Sequence, residues 1–222
     1  MDRETTEHGA NPYIPPDSPH LQEYLVEHNY AVAWAVANRD LVARRIKECI
    51  APGGSPPEKL VDVTHNSVTQ HKIVQQGEEK TLWVHRKGAA PADRGIVPCP
   101  GSRGDFSWLL EPLGDGNQNG ATRFVEPQFH ALTNPQYIAH SLAHGAGRRH
   151  GRQALHKDKV NKQSLTTTDL GSEVVCTNPD LLVEERPEAY KDVQCVVDDL
   201  EEHGVAKGVV VFRPLVTFKT RQ

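Results

Sequence analysis

The strongest structural signal in the chain is a helical repeat of apolar residues over residues 21–50. Apolar side chains recur there at intervals of three and four, with arginine and lysine between them, which predicts one long amphipathic helix. A loop rich in glycine and proline, residues 51–57, ends this helix. The later apolar patterns are short, and their strands and helices alternate without a regular strand–helix–strand rhythm. The expected fold class is therefore α+β rather than a doubly wound sheet.

Shorter patterns predict the remaining elements. A helix is expected to begin near Glu185, to end at Gly204, and to bury Val193, Val196, Val197 and Leu200. Residues 1–19 are polar, contain four prolines and carry no apolar period, so we expect a flexible segment ahead of one domain over residues 20–222. Strands are expected at residues 60–63, 81–85, 173–176, 208–212 and 213–219.

The charge and the cysteine content limit the classes of function. A net charge of -4 and a pI near 6.3 argue against a generally basic nucleic-acid-binding protein, so contact with a polyanion requires a local patch. The four cysteines form no CxxC pair, which favours free thiols in a reducing compartment. Without an apolar run of membrane length or a signal pattern, we expect an intracellular protein, cytoplasmic or else nuclear, that does not bind a membrane.

A glycine-rich motif, HGAGR at residues 144–148, is the main candidate for chemistry. His144 has small neighbours, which would leave its imidazole open to a bulky group. A neutral imidazole can attack phosphorus and hold the group covalently if nearby donors stabilise the phosphoryl oxygens. Arg148 and Arg152 are four residues apart and would present two phosphate-binding forks on one helix face. The alternative is a glycine-punctuated surface turn, because short glycine-rich motifs often match by chance.

Six blocks in one order resemble the C-terminal half of the RtcB-type tRNA-splicing RNA ligases. The blocks are THN at residues 64–66, VHRKGA at 84–89, PGSRG at 100–104, HGAGR at 144–148, AYKD at 189–192 and an RP…K tail over 213–219. A single block would be weak evidence, whereas six in order make a specific match. The resemblance implies an α+β fold that corresponds to that half of the family.

The resemblance also implies an activity. It is the GTP-dependent and Mn(II)-dependent joining of an RNA 3′-phosphate or 2′,3′-cyclic phosphate end to a 5′-hydroxyl end, as in tRNA splicing and RNA repair. His144 would attack the α-phosphate of GTP and pass the guanylate to the RNA 3′-phosphate, which gives the 5′-hydroxyl a leaving group to displace. The implied partners are tRNA exon halves or broken RNA, and an archease-type activator is a candidate partner.

Further positions acquire roles through the same resemblance. His65 would be a ligand of Mn(II), a metal that imidazole suits. Arg148 and Arg152 would face phosphate or RNA. Tyr190 would be an aromatic residue of the nucleotide pocket, and Lys219 would contact the guanine. The full set of nucleotide-contacting positions is Ser102, Ser107, Ala146, Gly147, Tyr190 and Lys219.

The sequence departs from the family pattern in several places. We find no counterpart of the family's other half, which supplies most of the metal ligands, so an active enzyme would need a partner chain that provides it. Arg103 stands where relatives usually have methionine, Ala143 where a small thiol is common, and Gly151 where a serine is usual. The alternative function is therefore a non-catalytic remnant that binds nucleotide or RNA.

Two other patterns leave alternatives open. His140 and His144 are four residues apart and could hold a zinc ion if this segment were helical. Arg86 and Lys87 could line a path for RNA, and a solvated charged turn explains them equally well.

Overall fold

The structure, a computed structural model, describes residues 14–15, 17–75, 78–113, 139–151, 154–155 and 160–220. Helices and strands of the described residues together confirm the α+β class. The helices are α1 (His20–Ile50), α2 (Pro179–Glu184) and α3 (Val193–Glu202). The strands are β1 (Asn66–Gln75), β2 (Glu78–Lys87), β3 (Ala89–Pro91), β4 (Val97–Pro100), β5 (Ser107–Pro112), β6 (Ser141–Ala143), β7 (Glu173–Cys176), β8 (Ala206–Phe212) and β9 (Val216–Lys219). Short 3₁₀ helices cover Lys162–Thr166 and Pro187–Ala189.

Helix α1 confirms the long helix predicted from the apolar repeat. Its last turn closes where the backbone N–H of Ala51 donates to the carbonyl of Lys47 at 2.8 Å. Leu25 is its buried residue, whereas Trp34 is 70% exposed. The helix contacts the rest of the chain partly through polar groups, since the N–H of Val68 donates to Nε2 of His28 at 3.0 Å. Most of the apolar surface of α1 therefore stays outside the core.

The strands of the described residues form four small sheets. β1 and β2 make an antiparallel hairpin, β3 pairs antiparallel with β6, and β7 pairs parallel with β9. The three-stranded sheet has the order β4, β5, β8 and is antiparallel, with an irregularity in the register between Leu109 and Leu110. The pairing of β3 with β6 places the residue after β6, His144, beside the end of β2.

The main core lies between the three-stranded sheet and α3. It contains Val97, Cys99, Leu110, Val193 and Val197, together with Ala90, Leu142, Ala146, Val205 and Ala206. The predicted inward face of α3 is confirmed, because Val196 and Leu200 also pack against this cluster. Burial raises the pKa of the Cys99 thiol to about 11, so this thiol stays protonated and inert. All four cysteines are free, as predicted.

Several sequence-based predictions of secondary structure were wrong. Residues 60–63 are not a strand: Leu60 is 82% exposed, and this segment runs along α1 through ion pairs of Lys59 with Asp40 and of Asp62 with Arg39. The last helix begins at Val193 rather than near Glu185, because the side chain of Asp192 caps it by accepting from the N–H of Gln194 at 2.8 Å.

The other predicted strands are confirmed by β2, β7, β8 and β9, except that β9 begins at Val216 rather than at residue 213. The flexible segment predicted over residues 1–19 lies mostly outside the described residues. Within the described part of the chain, no helix has both the length and the apolar character needed to cross a membrane.

Candidate functional site

His144 lies directly after β6, against the backbone of Gly88. A Cβ placed on Gly88 would lie 3.6 Å from Nε2 of His144, an ordinary van der Waals distance, so the ring lies next to this glycine. The side chain is half-buried. Burial is the main cause that lowers the pKa of His144, and the nearby His65 and Lys87 lower it further. The imidazole is therefore neutral at neutral pH, which is the nucleophilic form.

The ring of His65 stacks on the ring of His144. Their centroids are 4.5 Å apart and their planes differ by 6°. Stacked rings present faces to each other, whereas a metal ion binds the nitrogen edges, so this arrangement does not clamp one ion between both residues. In the described part of the chain, no three His, Cys, Asp or Glu side chains come together as a possible metal site. The described residues alone therefore do not fit a complete Mn(II) site.

The backbone of the HGAGR segment is fixed by its glycines. A Cβ on Gly145 would lie 2.8 Å from the carbonyl oxygen of Pro100, and the N–H of Ala146 donates to that oxygen at 3.0 Å. The side chain of Ala146 packs into the core. Gly147 is exposed with a φ of 71°, and its carbonyl accepts from the N–H of Lys191 at 3.0 Å. Small residues are thus required for the close approach to the end of β4.

A pocket of about 190 Å³ lies beside Tyr190, which Arg148 of this segment contacts. It is smaller than a typical pocket for a whole small ligand, about 300 to 1,000 Å³, and so suits one part of a ligand such as a planar base. Four of the six predicted nucleotide-contacting residues line it, and Ala146 and Gly147 are the two that do not. Its described lining is Gly101, Ser102, Arg103, Gly104, Asp105, Ser107, Glu185, Tyr190, Pro214, Thr217 and Lys219.

Glu185 links this pocket to the HGAGR segment. Its carboxylate accepts from the hydroxyl of Tyr190, and lies 3.2 Å from Nη1 of Arg148 and 3.6 Å from Nζ of Lys219. Burial, followed by the contact with Glu185, raises the pKa of Tyr190, so its hydroxyl remains a donor. One carboxylate thus holds two cations and a phenol at the pocket wall. Sequence reasoning missed this role of Glu185.

Arg148 is engaged within the chain and does not lie on a helix, contrary to the prediction. Its Nη2 donates to the carbonyl of Glu184 at 2.9 Å, and its guanidinium carbon lies 4.9 Å from the centre of the Tyr190 ring. A single β-bridge joins Arg148 to Tyr190, because the positive φ angles of Gly145 and Gly147 prevent a helical path. Arg152, the predicted second fork, lies outside the described residues.

Arg103 is a pocket residue that the family resemblance did not predict. It is 5% exposed, and its Nη1 donates to the carbonyl of Leu182 at 2.8 Å. Its Nε has no hydrogen-bond partner among the described residues. Burying a donor without an acceptor is unfavourable, so the burial of this guanidinium has a cost in folding free energy.

Two of the alternatives that the sequence left open for this region fail. Arg86 is 2% exposed and cannot line a path for RNA, whereas its neighbour Lys87 is exposed. His140 and His144 do not lie on one helix, because a turn and the strand β6 separate them. The ring of His140 stacks on His71 at 5.2 Å, so it faces a different partner from His144 and the zinc alternative fails.

A larger cavity of about 870 Å³ lies between α1 and residues 54–62. Charged side chains from both segments line it, and several of them pair with each other, such as Arg39 with Asp62. It is remote in sequence from every block of the family resemblance except the start of the THN block. We therefore place the candidate site at His144 and the smaller pocket.

We expect the free energy of unfolding to fall in mild acid. Burial, followed by the charge of Arg86, lowers the pKa of His71 from the ordinary 6.5, and burial also lowers that of His144. Between the folded and unfolded pKa values the unfolded chain binds more protons, so stability is full above about pH 6.5 and is lost as the pH falls through the lowered folded values. Thermal melting from pH 8 to pH 5 would measure this slope.

Two matched variants test whether His71 contributes to this pH dependence. His71→Gln should flatten the slope below pH 6.5, whereas His150→Gln, at an exposed position, should leave it unchanged. A slope that His71→Gln does not alter would contradict the assignment.

The chain is similar in sequence to known proteins over nearly its whole length. A family model described as tRNA-splicing ligase RtcB matches residues 10–220. The chain is 39% identical over 210 residues to RNA-splicing ligase RtcB2 of Escherichia coli, a match that covers 93% of this chain and 48% of that protein. It is 29% identical over 216 residues to RNA-splicing ligase RtcB homolog 1 of Entamoeba dispar, with 93% and 39% covered. The chain thus spans about half the length, or less, of these two relatives.

Proposed function

The chain belongs to the tRNA-splicing ligase RtcB family, and on that premise we propose that it is the part of an RNA ligase that carries the nucleophilic histidine and a nucleotide pocket. The proposed reaction joins an RNA 3′-phosphate or 2′,3′-cyclic phosphate end to a 5′-hydroxyl end at the expense of GTP. Its partners would be tRNA exon halves or broken RNA, with an archease-type activator as a further partner.

One observation carries the proposal. Ser102, Ser107, Tyr190 and Lys219 lie in separate parts of the sequence, yet all four line one pocket. Through Arg148 and the shared carboxylate of Glu185, that pocket is connected to the segment that begins with His144. The pocket offers hydroxyl, ammonium and aromatic groups, and Arg148 connects it to the segment that carries a neutral imidazole; this arrangement supports nucleotide transfer to histidine.

The chemistry of His144 follows from its neutral state. A ring nitrogen would form a bond to the α-phosphorus of GTP as the bond to pyrophosphate breaks. The guanylate would next pass to the RNA 3′-phosphate, and the RNA 5′-hydroxyl would then form the new phosphodiester and release GMP. Donors such as Lys219 and the serine hydroxyls would hold the nucleotide while the transfer occurs.

We propose that Mn(II) takes His65 as one ligand. One imidazole is too few for a stable site, so the remaining ligands would come from outside the described residues. The additional length of the relatives, or a partner chain, would be the source. When bound, the ion would offset negative charge on phosphate oxygens.

A half-protein that acts only with a partner chain is the second candidate. The observation that favours it is the exposed apolar surface of α1, where Tyr30, Trp34 and Ile50 are largely accessible. Exposed apolar patches of this kind often mark a protein–protein contact. This candidate keeps the same site and changes only the requirement for a second chain.

The test is covalent labelling. Incubation with GTP labelled at the α-phosphate and with Mn(II) should give an acid-labile label on the protein, alone or together with a chain that supplies the rest of the relatives' length.

Lys219→Ala should weaken apparent GTP binding about tenfold, as expected for loss of one charge-assisted contact. Lys207→Ala, an exposed lysine on β8 outside the pocket, should not change it.

The outcomes distinguish the candidates. Label on the chain alone supports the first candidate, and label only with the second chain supports the half-protein. Absence of label under both conditions would overturn both and favour a non-catalytic remnant.

A further inference from the structure

Arg86 is a buried arginine whose donors reach two other segments of the chain. Its Nε donates to Oγ of Ser141 at 2.8 Å, and its Nη1 donates to the hydroxyl of Thr69. Its Nη2 lies 3.1 Å from Nε2 of His71 and donates to the carbonyls of Ala139 at 3.0 Å and of His140 at 3.3 Å. A planar guanidinium with five N–H donors can make such contacts at once, which an ammonium cannot do.

The carbonyls that Arg86 holds belong to a strained turn. Ala139 and His140 have φ angles of 50° and 49°, a left-handed conformation that residues with a Cβ rarely adopt. Such a conformation persists only where surrounding contacts enforce it, and it often lies near functional residues. Here Ser141 Oγ also donates to the carbonyl of Ala139 at 2.9 Å, and the N–H of Ala92 donates to that of His140 at 2.8 Å.

The turn leads directly into β6 and then into His144. β6 pairs with β3, in the register Ala89 opposite Ala143, and β3 begins three residues after Arg86. Gly88 lies between Arg86 and β3 and is next to the ring of His144. Arg86 is therefore tied to both backbone segments that flank the imidazole.

We propose that Arg86 is a positioning residue for His144. It holds the left-handed turn at Ala139 and His140 through their carbonyls. The turn leads into β6, so Arg86 fixes the position of the His144 imidazole that follows β6. The proposal rests on the proposed function in one respect, that His144 is the nucleophile. The geometric part, that the place of the ring depends on Arg86, does not rest on it.

The kinetic test is the rate of His144 labelling at saturating GTP. Arg86→Lys should lower this rate at least about tenfold and leave the KM for GTP nearly unchanged, because Arg86 does not line the nucleotide pocket. Arg94→Lys, an exposed arginine in the loop after β3, is the matched control and should keep the wild-type rate.

A second substitution tests the turn itself. Glycine adopts a left-handed φ without a steric penalty, so Ala139→Gly added to Arg86→Lys should recover part of the lost rate. Alone, Ala139→Gly should change the rate little. A residue needed only for general stability would not be rescued in this way. Failure of the glycine to restore any of the rate would overturn the proposal.

A readout without GTP separates this proposal from the proposed function. Modification of His144 by diethyl pyrocarbonate, located by mass spectrometry, should become several-fold faster in Arg86→Lys as the ring leaves its stack on His65. The rate of modification of the exposed His150 should not change.

If Arg86→Lys does not fold, Ser141→Ala, which removes one acceptor of Arg86, serves as the second variant. It should lower the labelling rate and raise the modification rate of His144 in the same directions, by smaller factors. An unchanged reactivity of His144 in a folded variant would overturn the proposal, even if no protein were ever labelled by GTP.

Discussion

Replacing His144 with alanine is expected to abolish the covalent label from GTP. The imidazole is the proposed site of attachment, and alanine offers no atom that could form the bond to phosphorus, so the loss should be at least about a thousandfold. The fold should survive, because the ring is half-buried and stacks on an exposed histidine. We expect a change in unfolding free energy of about 1 kcal/mol or less, seen as a shift in Tm of only a few degrees.

Two variants control this result. His150→Ala removes an exposed imidazole six residues away in the same loop and should be labelled as the wild type is. Lys207→Ala tests whether loss of an unrelated exposed side chain matters. If His144→Ala still carries an acid-labile guanylate, the acceptor is another residue and the role assigned to the HGAGR motif is wrong.

The parts of the fold that depend on local pattern could be predicted from the sequence. α1, β7 and the buried face of α3 follow from apolar periodicity, and each is present. Residues 60–63 have the composition of a strand but find no strand to pair with, since ion pairs hold this segment to α1 instead. Strand pairing depends on distant parts of the chain, and the local sequence pattern carries no information about them.

In the candidate site too, some features could be predicted from the sequence and others depend on contacts between distant residues. The resemblance to a family named four of the residues that line the pocket, and Ser102 and Lys219, distant in sequence, do meet there. It could not find Glu185 as the link between them, because that role depends on contacts across more than thirty residues of sequence. For Arg86 a signal existed: in a strand, alternate residues share a face, and Val84 and Arg86 both lie on the more buried face of β2. Alternation thus predicts an inward arginine, whereas the adjacent charges of Arg86 and Lys87 suggested either a path for RNA or a solvated turn.

Replacing Gly101 with alanine is expected to destabilise the protein severely. A Cβ at this position would lie 2.2 Å from the carbonyl oxygen of Phe106, a backbone atom that cannot move aside as a side chain can. The same oxygen accepts from the N–H of Gly101 at 3.0 Å, so relief of the clash would also break the bond that closes the loop. We expect a loss of about 3 kcal/mol or more, which lowers Tm by roughly 6 to 12 °C.

The matched control is Gly151→Ala. No described atom lies within 4 Å of a Cβ at Gly151, and its backbone is not left-handed, so the change should stay within about 0.5 kcal/mol of the wild type. Because Ser102 and Arg103 lie in the loop that Gly101 closes, GTP labelling of Gly101→Ala should fall even below its melting temperature. Equal Tm values for the two variants would show that Gly101 does not approach Phe106 as closely as described. The conformation of the loop that forms this wall of the pocket would then be wrong.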